Sequence, residues 1–296
     1  MRNRTGRGWV CLMVGMAFLL IAGQASAKDG WYMAMDLGVA VGPGLDTRGS
    51  DNDFPTTCDR FIDPATTCND LSNEKWTNKF DGSTGVLAGL AVGYRWQNFR
   101  IEGEYFYRNA THDDASEPNF GGLNLKTLEE ISESEEVIDG VLSHNFFTNL
   151  YYDFTSDSKW TPYLGVGVGF AQVSLDYFSR FTRSSDPDDI STFPSGDSRN
   201  TLLAGTTTIG RSKLSDTLLG YQAIAGVDYR ISEPVTIGLK FRWVDFGEFK
   251  DDDEWRQLRS HDATNSPAPG SARVRYQVAT DDIEFWGLSL NMKYHF

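Results

Sequence analysis

Trp286-Gly287-Leu288-Ser289-Leu290-Asn291-Met292-Lys293-Tyr294-His295-Phe296 closes the chain. Trp286, Leu288, Leu290, Met292, Tyr294 and Phe296 alternate with small or polar residues. A β-strand has a side-chain period of two, so this stretch has one oily face and one wet face. It reads as a strand of about ten residues with an aromatic at each end.

Seven more segments repeat the pattern. Trp31 to Val41 sets Trp31, Met33, Met35, Leu37, Val39 and Val41 against Tyr32, Ala34, Asp36 and Gly38. Val86 to Trp96 and Phe99 to Tyr107 follow, with Arg95, Arg100, Glu102 and Glu104 on their polar faces. Next come His144 to Phe154, with Asp153 on the polar face, and a strand from Tyr163 that alternates with Gly165, Gly167 and Gly169. Leu219 to Arg230 and Val235 to Trp243 complete the set, with Asp228, Arg230, Lys240 and Arg242 on the wet side, as Lys293 is in the last strand.

The connections alternate in length. Gln97-Asn98, 155–162 and 231–234 are short; 42–85, 109–143, 179–218 and 247–283 are long. An even number of strands near ten residues, joined alternately by tight turns and long polar loops, predicts an all-β, eight-stranded antiparallel up-and-down transmembrane β-barrel with four long outer loops and short periplasmic turns. No stretch holds roughly 20 consecutive apolar residues, so the chain offers no spanning helix.

The N-terminus fits export. Arg2, Arg4 and Arg7 precede an apolar run from Val10 to Ala22, and Ala25-Ser26-Ala27 is a small-residue cleavage site. This divides the chain into a signal peptide, 1–27, and a barrel, 28–296, destined for the bacterial outer membrane. Cys11 lies inside the apolar run and leaves with it. Cys58 and Cys68 remain in an oxidising compartment, and a loop disulfide is the expected state.

The formal charge is -14, and loss of the three signal arginines makes the mature chain more acidic still. That balance argues against nucleic-acid binding. Aromatic residues gather at segment ends, among them Trp31, Tyr32, Tyr94, Trp96, Phe99, Tyr151, Tyr152, Tyr163, Trp243, Phe285, Trp286, Tyr294 and Phe296. Tyr and Trp favour the headgroup level, which predicts two girdles. The stretch from Ser184 to Asn200 is rich in Ser, Asp and Pro, the composition of a mobile loop. In 122–140, Leu125, Leu128 and Ile131 recur at helical spacing behind Thr127 and Glu130, which suggests a short capped helix.

Charged side chains on a spanning strand must point inward, because lipid exposure costs a few kcal/mol each. Asp36, Glu102, Glu104, Asp153 and Asp228 would therefore meet Arg95, Arg100, Arg230, Lys240, Arg242 and Lys293 inside the lumen. Two readings follow: an interior plugged by ion pairs, or a gated ion path. The inward glycines would leave room for long Arg and Glu side chains from facing strands.

Catalytic signals are weak. Ser143 neighbours His144, but adjacent strand residues point to opposite faces. His112 and His261 fall in loops, and His295 at a strand end. The acidic runs 186–189 and 251–254 lack the spacing of a calcium loop, so no cofactor or metal set is expected.

The chain resembles the opacity-protein-like group of outer-membrane surface antigens, related in fold to the OmpA barrel domain. The resemblance is carried by Trp31-Tyr32, by Asn149-Leu150-Tyr151-Tyr152-Asp153-Phe154, by the glycine-alternating strand, and by Lys293-Tyr294-His295-Phe296. It implies a monomeric surface protein in envelope integrity or adhesion, with a narrow porin as the alternative and a lipid-modifying enzyme as a remoter one. It implies contacts with outer-membrane lipid and lipopolysaccharide, an extracellular ligand at the loops, and delivery by the barrel-assembly machinery reading Tyr294 and Phe296. The longer loops of this chain leave their ligand open.

Overall fold

The computed structural model describes residues 29–51, 74–112, 119–120, 123–124, 127–155, 157–256 and 273–296. The expected signal peptide at 1–27 and the expected Cys58–Cys68 disulfide lie outside the described residues.

Twelve strands form one antiparallel sheet: β1 (Gly30–Gly42), β2 (Leu45–Asp51), β3 (Glu74–Phe80), β4 (Ser83–Trp96), β5 (Phe99–Thr111), β6 (Asn119–Phe120), β7 (Leu123–Asn124), β8 (Ile131–Asp153), β9 (Trp160–Arg183), β10 (Thr207–Arg230), β11 (Val235–Arg256) and β12 (Arg273–His295). Eight of them bond in a ring, β1-β4-β5-β8-β9-β10-β11-β12, and the ring closes because β12 pairs back onto β1. Closure removes the unpaired edges that hydrocarbon cannot solvate. Gln97-Asn98 turns β4 into β5 with Gln97 in the left-handed region, φ 55; its N–H donates to Asp29 Oδ1 at 2.6 Å.

The outer wall is apolar where the sequence alternates. Leu37, Leu90, Ile101, Leu150, Val166, Val168, Leu219, Leu239 and Leu290 all stand exposed, as only a lipid-facing wall would tolerate. Near the short turns, Trp31 meets Tyr94, Phe99 meets Tyr152, Trp160 meets Tyr229, and Tyr294 meets Phe296. At the other margin Tyr221, Trp243 and Trp286 form a second row. Trp286 and Tyr294 are eight residues apart on β12, about 27 Å along a strand, which a barrel's tilt brings near the height of a lipid core.

Four aromatics whose strand-end positions predict the girdles lie elsewhere. Tyr32, Tyr151, Tyr163 and Phe285 are buried inside the barrel. Their place in the period of two puts them on the same faces as Asp36, Asp153, Gly165 and Lys293.

The strands run well past the apolar band. Ile131–Ser143 of β8, much of β9 and β10 beyond Ala171 and Leu218, and β11 beyond Phe246 are ladder, not loop. Alternation hides this because bulges break it. The register slips between Ile138 and Gly140 and again between Phe246 and Lys250. Each slip inserts a residue and swaps the face that follows. Ile138 and Val141 both point inward as a result, as do Phe246 and Phe249. The first bulge lies where a helix was expected: Ile131 opens β8, Thr127 Oγ1 donates to Asn124 O, and Leu125 lies outside the described residues.

β1 stops at Gly42 while β12 extends back to Arg273. β2 occupies the freed edge of β12, β3 pairs with β2, and β6 with β3. Together they make a collar beyond the lipid band. The 184–200 stretch is also structured, with a 3-10 turn at Pro187–Asp189 and a short helix at Ser198–Leu203. Ile190, Leu203 and Ala204 bury a small core of their own with Phe193 against it.

Candidate functional site

The lumen is filled in two chemically different layers. The layer nearer the short turns is ionic. Lys240 Nζ from β11 sits 2.8 Å from Asp36 of β1, 3.2 Å from Glu104 of β5 and 3.8 Å from Glu102. Arg242, two residues on, places Nη2 2.7 Å from Glu104 and 3.7 Å from Asp36. Uncharged groups satisfy the remaining lone pairs. Tyr32 and Tyr151 each donate to Glu102 at 2.8 Å, Asn149 donates to Glu104 at 2.8 Å, and Asn291 donates to Asp36 at 2.8 Å. Gln222 bridges Asn149 and Glu104. A buried charge is tolerable when paired and hydrogen-bonded, and here every charge is paired, with Arg242 Nε left without a hydrogen-bond partner.

Closer to the short turns a second ionic group forms. Lys293 Nζ reaches both Asp228 oxygens at 2.7 Å. Arg100 lies 2.9 Å from Asp153 and 3.8 Å from Asp228, with its guanidinium 4.7 Å from the ring centres of Tyr151 and Tyr163. Arg95 stands at the rim, 3.6 Å from Asp153. Arg230 is exposed there and joins no ion pair among the described residues. The structure thus gathers Asp36, Arg100, Glu102, Glu104, Asp153, Asp228, Lys240, Arg242 and Lys293 in the interior, and leaves Arg95 and Arg230 at the mouth.

The layer beyond is dry. Phe106, Phe147, Phe246 and Phe285 form a closed circuit, with ring centres 5.7 Å apart for Phe106–Phe147, 5.9 Å for Phe147–Phe246, 6.4 Å for Phe246–Phe285 and 6.3 Å for Phe285–Phe106. All four are buried, and Leu87, Ala171, Val173, Leu218 and Val244 surround them. Arg242 stacks on Phe106 at 4.4 Å and Arg108 on Phe285 at 4.5 Å, so cations flank the ring. The dry layer was legible only in part: Phe106 and Phe147 sit on inward positions of their strands.

The glycines open space for adjacent strands, not for long side chains across the lumen. A Cβ at Gly93 would lie 2.3 Å from Tyr32 Cζ, and one at Gly226 would lie 2.3 Å from Tyr163. Gly93 and Gly226 are thus each packed under a tyrosine ring, whereas Gly167 lies under Asn149 and Gly238 under Asp228.

In the collar, Glu136 of β8 is buried ten residues beyond lipid-facing Phe146, about 33 Å along the strand. It accepts from Tyr177 Oη at 2.5 Å and Ser179 Oγ at 2.7 Å. Asn78 of β3 donates to Tyr177 Oη at 2.8 Å, and Trp76 stacks on the same ring. Burial pushes the Glu136 carboxyl up to about 7, and the two hydroxyl donors oppose that only in part. Glu130 ties the neighbouring loop down: it accepts from Arg183, Ser191 and Thr192. Burial works against its ionised form, but those donors and the Arg183 charge hold its carboxyl below the usual carboxylate range.

Ser143 faces inward and accepts from Asn145, whereas His144 faces outward against Tyr105 Oη at 2.9 Å, so they form no catalytic pair. His295 meets Thr236 at 3.3 Å. His261 lies outside the described residues. Among the described residues no group of three or more potential ligands could hold a metal.

A closed antiparallel ring, lipid-facing outside and ionic within, defines an integral barrel of the bacterial outer membrane. The chain belongs to the outer membrane protein beta-barrel domain family, whose model matches residues 10–296. Among solved structures it is similar to Neisserial surface protein A, at 12% identity and TM-score 0.38 over 93% of this chain and 100% of that one. It is also similar to OprG from Pseudomonas aeruginosa, at 14% identity and TM-score 0.44 over 91% and 98% of the two chains. A third likeness is to the outer membrane protease OmpT from Escherichia coli, at 10% identity and TM-score 0.35 over 93% and 99%. No curated protein matches the chain.

Proposed function

We propose that this protein is a monomeric, non-conducting surface barrel without enzymatic activity, acting outside the cell through its collar in adhesion or envelope integrity. Eight strands span the membrane, the short turns face the periplasm, and the collar and its four long connections face outward. The phenylalanine circuit carries this reading. Its rings pack against one another around the lumen, and an ion crossing them would shed its hydration against apolar surface. The ionic layer beneath adds a second barrier. With the lumen sealed, the wall and the collar are the surfaces that meet the membrane and the outside. The wall meets lipid and lipopolysaccharide. The collar is rich in acids and offers a contact surface for an extracellular ligand.

Delivery would proceed through the assembly machinery at the last strand. Phe296 N–H donates to Trp31 O at 3.0 Å, and its ring packs on Tyr294. Replacing Phe296 with Ser should lower the outer-membrane yield; an unchanged yield would remove that role. The decisive test of the function is planar-bilayer recording with purified folded protein. A silent bilayer is expected. Reproducible unitary openings would replace this reading with the porin one.

A further inference from the structure

We propose that the mouth of the barrel at the short-turn end is a binding site for an oxyanion, a phosphate or carboxylate group. A narrow cleft opens there with room for about one water-sized atom, enough to admit a single oxygen of such a group; Arg95, Arg100, Arg230 and Lys293 line it together with Asp153 and Asp228. Four cationic groups thus share two carboxylates.

The pairing is already spent. Asp228 gives both oxygens to Lys293 and is also approached by Arg100; Asp153 is divided between Arg100 and Arg95. Arg95 turns its Nε to Gln97 O at 3.2 Å. One Nη of Arg100 approaches Asp153 at 2.9 Å but without hydrogen-bond geometry, and the side chain is only 2% exposed. Arg230 carries its guanidinium at the opening with neither acid nor hydrogen-bond acceptor among the described residues.

This surplus of positive charge stands out because the chain as a whole carries -14. It is also confined: the acids Glu102, Glu104 and Asp36 above it are committed to Lys240 and Arg242. A cleft whose lining carries a net positive charge, four cations against two carboxylates, attracts an incoming counter-ion, the more so inside a low-dielectric wall. Planar guanidinium groups match a two-oxygen acceptor, which selects phosphate or carboxylate over halide. The hydroxyls of Thr161 and Thr236 offer further donors. Two sources could supply such a group, a free periplasmic anion or the headgroup of an anionic phospholipid, and both present the same oxygens. The site does not depend on the lumen being sealed, so channel openings would leave it standing.

The test uses folded, signal-free barrel in zwitterionic micelles, titrated with inorganic phosphate at constant ionic strength and read by amide resonances. Saturable shifts at Thr161, Arg230 and His295 are expected, with collar residues unmoved. Arg95→Gln combined with Arg230→Gln should weaken binding about tenfold, the scale of one lost charge-assisted hydrogen bond. Arg230→Gln alone keeps every ion pair of the interior, so folding is preserved in at least that variant. Non-saturating shifts, or the same affinity in the folded variants, would overturn the proposal. In nanodiscs without phosphate, shifts that appear with phosphatidylglycerol but not phosphatidylcholine would assign the headgroup as the source. Shifts that still require added phosphate would assign the free anion. Either result retains the site.

Discussion

Lys240 Nζ and Asp36 Oδ2 meet at 2.8 Å in the middle of the barrel, with both side chains sealed from solvent. Their strands are not neighbours in the ring; β12 lies between them. The contact therefore ties the ring across its seam, where β12 closes onto β1. Lys240→Met leaves Asp36 and Glu104 sharing only Arg242, and should cost about 3–5 kcal/mol in urea unfolding from lipid vesicles. Lys240→Met with Asp36→Leu should cost less than the single change, because the orphaned acid is gone. A fully stable Lys240→Met barrel would show that the contact contributes nothing.

Phe147→Ala removes one of the four rings and should destabilise the barrel by about 3–5 kcal/mol. It should not open a path, since Glu104, Arg242 and Gln222 still block the lumen beneath. Conductance is expected only when Phe147→Ala is combined with Arg242→Ala. Openings in the single variant would mean the ionic layer is no barrier.

Glu136 makes the collar sensitive to pH. Its folded carboxyl titrates near 7, above its usual 4.5. The folded state therefore holds a proton that the unfolded state has lost, and stability falls as pH rises from about 4.5 to about 7. Asn78, Tyr177 and Ser179 offer hydroxyl or amide partners but no positive charge to offset ionisation. The full effect is on the order of 3 kcal/mol, confined to the contact between β3 and the β8–β9 wall. Amide protection factors at Trp76 to Phe80, with the intrinsic base-catalysed exchange rate divided out, should fall as pH rises through about 4.5 to about 7. Glu136→Gln should abolish the change; the same fall in that variant would place its origin elsewhere.

Gln97 occupies the left-handed region at φ 55, where a side chain costs about 1–2 kcal/mol. Gln97→Gly keeps the N–H that donates to Asp29 and should stabilise the β4–β5 turn by about 1 kcal/mol. Equilibrium unfolding measures it, and a loss of stability would show that the glutamine side chain has a contact of its own.

The spanning half was legible because lipid imposes a strict rule. Every outward position from Trp31 to Val41 must be apolar, and every charge such as Asp36 must turn inward, so a period of two is written plainly. Beyond the lipid that rule lapses. Val137 and Asp139 can both face water, and a bulge at Gly140 costs nothing that hydrocarbon would penalise. The extended strands were therefore read as loops. The ionic residues were visible individually, but their partners were not. Nothing along the chain joins Lys240 to Glu104, which meet only because the ring curves. Tyr32 and Phe285 were misplaced for a related reason: an aromatic at a strand end suits a girdle or a lumen equally, and only its parity decides.

The pairing of β1 with β12 has a temporal meaning. The two segments are separated by nearly the whole chain, yet Met35 lies opposite Met292 and Val39 opposite Leu288. Until residues 286–295 have been made and brought round, both seam strands hold bare amides that neither oil nor a neighbour can satisfy. Ribosome-coupled insertion, strand by strand, would strand those groups in the bilayer. The molecule has to arrive whole, kept unfolded on the way, and shut in a single late event.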